Sequence, residues 1–372
     1  MQAINSTIPP NARWQIRPAS AADVSWWSSW DQLNGEGHDG HPLLASDMVR
    51  LLCKHFAAGP LTLAALADSQ RIYLQTILSR EGFGKWSLFN PSQAPIGPLV
   101  CRRGDGDLTA HLQRLTRRLP QLGLALDYPT HDPSYAPSLS VPVATHRALW
   151  GTTISVSCRG SFDEYWNARS KELRHNVRRY FRRVDEEHGG AWRLVRHDTP
   201  DTVAAAVARY GELESRGWKG KEGTALHPTN VQGRFYGDML AAFAERGHAH
   251  VYEFYVADAL AASRLLISGP TMYVILKTTY DENLGRIAPG RLLLHTILKE
   301  LFAAPTRRAV EFYTRANNDT LAWSTDQRDI ASVTVYRNRV VAGLANLQRQ
   351  RRARMAREAR PTPASASDAS NA

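Results

Sequence analysis

Thr271-Met-Tyr-Val-Ile-Leu-Lys-Thr-Thr-Tyr280, then Arg286-Ile-Ala-Pro-Gly290, then Arg291 to Phe302 read as a strand, a tight turn and an amphipathic helix. A further strand follows at Ala309 to Tyr313. A glycine-bearing turn that opens a helix straight after a strand directs unpaired backbone N–H groups and the positive helix end at one point, and that point attracts phosphate. Pro289 fixes φ where its missing N–H costs little, and Gly290 leaves the backbone open to a bulky anion.

The chain is 372 residues long, with 43% hydrophobic residues and 10 Trp, enough to fill two cores. Two domains of about 150 residues each are expected at this length. No run of about 18 apolar residues is present to span a bilayer, and the N-terminus lacks a basic start followed by an apolar stretch. Cys53, Cys101 and Cys158 are too far apart in sequence for a disulfide framework or a metal spacing, so a cytoplasmic location is expected.

The net charge of +11 is unevenly placed. From Arg349 onward the tail holds six arginines against Glu358 and Asp368. A second basic block lies on a helix expected over Phe162 to Glu187, where Phe162, Trp166, Leu173, Val177, Tyr180 and Val184 form an apolar stripe. Lys171, Arg174, Arg178 and Arg182 stand opposite, flanked by His175, Arg179 and Arg183. Either this is a solvated face, or residues 171–183 meet an anionic partner such as coenzyme phosphates, an acidic polysaccharide, tRNA or a lipid head group.

Outward from the opening stretch, the second half runs strand Thr152 to Cys158, the basic helix, strand Trp192 to His197, and helices Thr202 to Ser215 and Asn230 to Arg246. A hairpin at His250 to Ser268 then feeds the Thr271 strand. After the turn and helix come strand Ala309 to Tyr313, a short helix Asn318 to Ser324, strand Ala331 to Tyr336 and a final helix to about Arg360. The first half has α+β order: helices at Ala21 to Leu33 and Pro42 to Ala57 separated by the glycine-rich 34–40, then short strands, and a helix near Leu108 to Leu119. The four prolines of 129–142 mark the expected inter-domain connection. The expected divisions are 1–150, 151–345, and a basic helical end with a disordered tail over 346–372.

This order of elements resembles that of the GNAT N-acyltransferases, and most closely the CelD/BcsL-like proteins of cellulose and exopolysaccharide loci, distantly related to the FemAB peptidyltransferases. The resemblance rests on Tyr280-Asp281, on Ala288-Pro289-Gly290 followed by Leu292, Leu293 and Leu294, on Trp218-Lys219, and on the arginine-rich helix at 174–183. It covers roughly Phe162 to Tyr336. Two departures are visible: Arg286 is followed by glycine only at Gly290, and Leu321-Ala322-Trp323 stands where relatives carry Tyr-Lys.

The resemblance implies an α/β fold with a mixed α+β sheet and two tandem GNAT-like domains, the first degenerate and the second holding a coenzyme A site. It implies acetyl-CoA or another acyl-CoA as co-substrate, held by Thr278, Thr279, Arg286, Ile287, Ala288, Pro289, Gly290 and Arg291. The acceptor would be an amine or hydroxyl of a small molecule or glycan intermediate, with Trp218 and Lys219 in a loop over it.

Acyl transfer requires a base for the attacking group and an acid for the thiolate. Glu214, Asp281 and Glu311 are the candidate bases, against the alternative that each pairs with an arginine or faces water. Tyr280 is a candidate acid. The pairs His38/His41 and His248/His250 lack further ligands at metal spacing, so no metal site is expected. Two readings remain beside acyl-CoA transfer: a FemAB-like transferase using aminoacyl-tRNA, and a non-catalytic binding protein on the same fold.

Overall fold

The computed structural model describes residues 8–103, 107–136, 138–140, 144–217, 220, 222–223, 225–304 and 309–358. Its strands form one 13-stranded mixed sheet in an α/β fold. In chain order they are β1 (Arg13–Pro18), β2 (Thr62–Ala67), β3 (Ile72–Gly82), β4 (Lys85–Leu88), β5 (Leu99–Cys101), β6 (Ala125–His131), β7 (Thr145–Ser157), β8 (Trp192–His197), β9 (Ala249–Val256), β10 (Ala259–Ser268), β11 (Met272–Tyr280), β12 (Ala309–Glu311) and β13 (Asp326–Tyr336).

The spatial order is β1-β2-β3-β4-β6-β13-β7-β12-β11-β10-β9-β8, with β5 on β3. It repeats itself. From β1 to β4 neighbouring strands are antiparallel, then β4 meets β6 in parallel. From β8 to β11 neighbours are again antiparallel, then β11 meets β12 in parallel. Each half ends against a further antiparallel strand, β13 beside β6 and β7 beside β12, and these two pair with each other in the middle. A parallel pair needs a crossover, normally helical. The two crossover helices are Thr109–Arg118 in the first half and Pro289–Ala303 in the second.

Side-chain alternation along β10 and β11 sends Leu265, Ile267, Met272 and Val274 to one face, under the helices Pro200–Arg216 and Val231–Ala244. Ala262, Leu266, Tyr273 and Ile275 go to the other, under the helices Lys171–His188 and Pro289–Ala303. The Pro289–Ala303 helix buries Leu292, Leu293, Leu294, Ile297, Leu298, Leu301 and Phe302. At about 1.5–3 kcal/mol for each large side chain fully buried, that face fixes the helix against the sheet.

Several expected boundaries move. The basic helix is two helices, Phe162–Asn167 and Lys171–His188, because two caps are written into it. Ser161 and Glu164 form a capping box, and the Ser170 side chain accepts from the Leu173 N–H to start the second helix. The first long helix runs Val24–His38, through the glycines expected to end it. Gly37 serves packing there: a Cβ would lie 1.6 Å from the Cys101 carbonyl oxygen. Pro129 lies inside β6, so the proline-rich connection begins later than its composition suggests, and β7 runs without interruption through residue 150. The last helix spans Arg339–Glu358; the tail expected to be disordered, 361–372, lies outside the described residues. Among the described residues no helix is long and apolar enough to cross a membrane.

Candidate active site

β11 and β12 pair over three rungs only, Met272 with Ala309, Tyr273 with Val310 and Val274 with Glu311. Beyond Val274, β11 runs on to Tyr280 paired with β10 alone, so its other edge is open for six residues, about 20 Å. A bulge on β11 at Leu276, between Ile275 paired with Leu266 and Lys277 paired with Leu265, coincides with the start of this open edge. The gap is a cleft of about 430 Å³, with Ile275, Thr278 and Tyr280 on one wall and Phe312 and Thr314 on the other. Gly285 and Ala288 to Arg291 close its outer end; Leu294 and Trp323 make it apolar within.

The outer end is formed by the turn and the first residues of the helix. The turn expected from Arg286 to Gly290 is a 3-10 segment, Glu282–Ile287, ending at Ala288 with φ 47° and ψ 58°. The left-handed residue that lets the chain enter the helix is therefore an alanine, at a cost of about 1 kcal/mol or more, and Gly290 is free for another use. A Cβ at Gly290 would meet only the Tyr280 ring, at 3.5 Å, and would otherwise project into the cleft. In the first turn of the Pro289–Ala303 helix Pro289 has no N–H, and the Arg291 and Leu292 N–H groups both reach the Ala288 carbonyl, at 2.9 and 3.3 Å, which leaves the Gly290 N–H facing the cleft end, where the helix dipole adds positive potential. Arg183 donates to the Arg286 carbonyl at 2.6 Å, which holds the basic helix against this turn. Arg291 is tied to Asp319 at 2.7 Å and to the Tyr180 hydroxyl at 3.1 Å.

The corresponding helix of the first half cannot offer such a site. Asp107 caps it from within the chain, accepting from the Thr109 N–H at 3.0 Å, the Thr109 hydroxyl at 2.7 Å and the Ser140 N–H at 2.9 Å. Burial raises the Asp107 pKa, but these bonds outweigh it and hold the carboxyl at about 2. Its own carboxylate already fills the anion position.

Of the residues expected to hold the donor, Thr278, Ala288, Pro289, Gly290 and Arg291 line the cleft. Ile287 is buried in the core beneath it. Thr279 falls on the opposite face of β11 by alternation, and Arg286 lies outside, paired with Glu187 at 3.4 Å. Trp218 and Lys219 lie outside the described residues.

The four candidate acid and base groups are not brought together. Tyr280, 47% exposed, stands beside Gly290 at the outer end, about 20 Å along the strand from the Val274/Glu311 rung. Asp281 caps the 3-10 segment by accepting from the Asn283 N–H at 2.9 Å. Glu214 is buried on the far face of the sheet, accepting from the Leu226 N–H at 2.8 Å and from the Tyr210 hydroxyl at 3.2 Å, with Lys277 at 3.9 Å.

Glu311 alone stands at the rung where the strands part. Its neighbour Phe312 lines the donor cleft on one face, while Glu311 opens on the other face into a polar cleft of about 730 Å³ with Ser155, Ser157, Asp326 and Arg328. It is 1% exposed, accepts from the Tyr135 hydroxyl at 2.9 Å, and has Arg328 Nη2 at 2.8 Å from Oε2. That second contact is close but too poorly aligned for a hydrogen bond. Burial pushes the Glu311 carboxyl above its usual value, with Arg328 opposing. Arg328 also holds Asp132 through Nε at 2.9 Å and 3.0 Å and Nη2 at 2.7 Å, and Tyr313 joins Asp132 to His41 through bonds of 2.8 Å each.

Two charged groups that line these clefts were not expected from the sequence. Arg264 lines the cleft from β10; its signal was a lone charged residue in a largely apolar strand. Arg328 had none, because its partner Asp132 is 196 residues away.

A family model described as an acetyltransferase (GNAT) domain matches residues 171–320. No curated protein matches the chain significantly. Among solved structures, FemX superposes with a TM-score of 0.55 at 9% identity, over 84% of this chain and 96% of that one. A tandem GNAT protein from the clavulanic acid biosynthesis pathway is 17% identical over 88% of this chain and 99% of that one, with a TM-score of 0.47. The FemX likeness supports the fold, and the family match covers the split strands, the Pro289–Ala303 helix and Glu311. Residues 171–320 are accordingly similar to a GNAT acetyltransferase domain, and the likeness to FemX extends the shared fold over both halves of the chain.

Proposed function

We propose that the chain transfers an acyl group, in the first instance acetyl, from acyl-CoA to an amine or hydroxyl of a sugar or other small acceptor. The observation that carries this reading is the open edge of β11 leading from an anion-binding helix end to an apolar interior. Phosphates fit the outer end. The extended amide-bearing arm of the coenzyme fits an unpaired strand edge, which binds such chains through main-chain hydrogen bonds. The thioester then lies toward the Val274/Glu311 rung, and the acceptor enters from the polar cleft on the opposite face.

In this arrangement Glu311 takes the proton from the acceptor as the acceptor lone pair attacks the thioester carbon; the C–S bond breaks as the tetrahedral species collapses, and the coenzyme leaves as a thiolate that takes its proton from solvent. A carboxyl held above its usual pKa by burial is a better base for an amine or alcohol than an exposed one. Tyr280 belongs to the phosphate end and serves binding. The two halves act as tandem GNAT-like units, the first lending Tyr135 and Asp132 to the site. An acceptor from exopolysaccharide or cellulose assembly, reached in the cytoplasm, accords with the CelD/BcsL-like resemblance.

The test is thermal stabilisation by acetyl-CoA and longer acyl-CoAs, followed by thiol release with a panel of amino sugars and amines. Stabilisation by acyl-CoA, and a Glu311→Gln variant that keeps it but loses roughly 10²-fold or more in kcat, is the expected result. No stabilisation by any coenzyme, with salt-sensitive binding of tRNA instead, would replace this reading with aminoacyl transfer.

A further inference from the structure

Arg264 is 7% exposed, and its Nη1 has neither a hydrogen-bond partner nor solvent. Its Nε donates to the Thr278 hydroxyl at 2.9 Å, which fixes the guanidinium at the wall of the donor cleft. Among the described residues no carboxylate forms an ion pair with it, and Asp319, whose charge reaches it, is itself paired with Arg291 at 2.7 Å. A buried, unpaired cation is costly in a folded protein, and cores tolerate one when a ligand supplies the missing partner. Thr278 lies two residues inside Tyr280, whose ring marks the helix end, so the guanidinium sits about 7 Å deeper than the Gly290 backbone.

We propose that Arg264, oriented by Thr278, is an oxyanion receptor in the cleft that binds a negatively charged oxygen of the donor. The assignment rests on the donor reading above and sharpens it to a specificity-determining residue. Two parts of a donor carry such an oxygen: the diphosphate of the coenzyme, and a carboxylate at the far end of a dicarboxylic acyl group. In either case the receptor selects against neutral pantetheine thioesters lacking both.

The experiment measures affinities of wild type, Arg264→Lys, Arg264→Gln and Thr278→Val for coenzyme A, acetyl-CoA, succinyl-CoA and acetyl-pantetheine, with melting temperatures of the free proteins. If the diphosphate is the ligand, Arg264→Gln weakens all three coenzyme compounds by roughly ten- to a hundredfold, and wild type binds acetyl-pantetheine no better than the variant does. If an acyl carboxylate is the ligand, only succinyl-CoA weakens. In both cases Arg264→Gln melts no lower than wild type without ligand, because an unpaired buried charge has been removed, and Arg264→Lys recovers part of the affinity. Equal affinities of wild type and Arg264→Gln for every compound, or a variant that melts well below wild type with unchanged affinity per folded molecule, would overturn the assignment and leave the donor reading standing. Failure of wild type to bind any coenzyme compound would overturn both.

Discussion

Replacing Arg328 with methionine tests the junction on which the candidate base depends. Arg328 makes three contacts of 2.7–3.0 Å to Asp132 and one of 2.8 Å to Glu311, and its guanidinium carbon lies 5.3 Å from the ring centres of both Tyr135 and Tyr313. Methionine keeps most of the stem and leaves Asp132, 2% exposed, and Glu311, 1% exposed, without a cation. Removing one partner of a buried pair costs about 3–5 kcal/mol, chiefly through the charge left behind. In the wild type, burial raises the Asp132 pKa but the Arg328 contacts outweigh it, so the group adds stability at neutral pH that is lost on acidification. Without Arg328 burial is left to raise both carboxyls, and the folded state gains protons as pH falls. Urea unfolding should therefore show the full penalty at neutral pH and a smaller one near about pH 5. The triple variant R328M/D132N/E311Q should recover more than half of it. A penalty under about 1 kcal/mol, or one that does not change with pH, would refute this account of the junction.

Gly290→Ala should leave stability within about 0.5 kcal/mol of wild type, because the new methyl meets Tyr280 at an ordinary distance, yet weaken coenzyme A binding tenfold or more in a calorimeter. An equal affinity would show that no ligand reaches that backbone. Acid should weaken the fold earlier than carboxylate protonation does. Burial lowers His38 from 6.5 to about 4 and His41 from 6.5 to about 3, so both contribute stability above pH 6.5 that is lost below it. The loss is roughly 1.4 kcal/mol per pH unit for each ring. A flat unfolding midpoint between pH 6.5 and 5 would contradict the burial of neutral rings.

Local sequence carried much of the second half. The hairpin, the strand to Tyr280, the Pro289 helix start and the short Asn318–Trp323 helix follow from alternation, helical periodicity and Pro/Gly punctuation, all of which act over a few residues. The split of the basic helix was also local, but Ser161 and Ser170 compete with a continuous apolar stripe, and the stripe alone predicts one helix. The glycines at 35 and 37 misled for a different reason. Gly37 was needed by a neighbour in space, the Cys101 carbonyl, and not by a turn, while Gly35 has nothing within 4 Å.

The site divides in the same way. The sequence by itself determined the strand, turn and helix start of the proposed phosphate end, because they are consecutive and their geometry is set by φ, hydrogen bonding and the helix dipole within twenty residues. It also placed Glu311 in a strand with apolar neighbours. Only the tertiary structure decided that β11 and β12 part after Val274, that Ser140 is brought onto Asp107 at the equivalent helix end of the first half, and that Arg264 enters the cleft with no carboxylate paired to it. Only the fold separated Tyr280 from Glu311, and only the fold joined Glu311 to Arg328, Asp132 and Tyr135. Those relations depend on sheet register and on strands brought together from distant parts of the chain, and neither leaves a signature in a local pattern of residues.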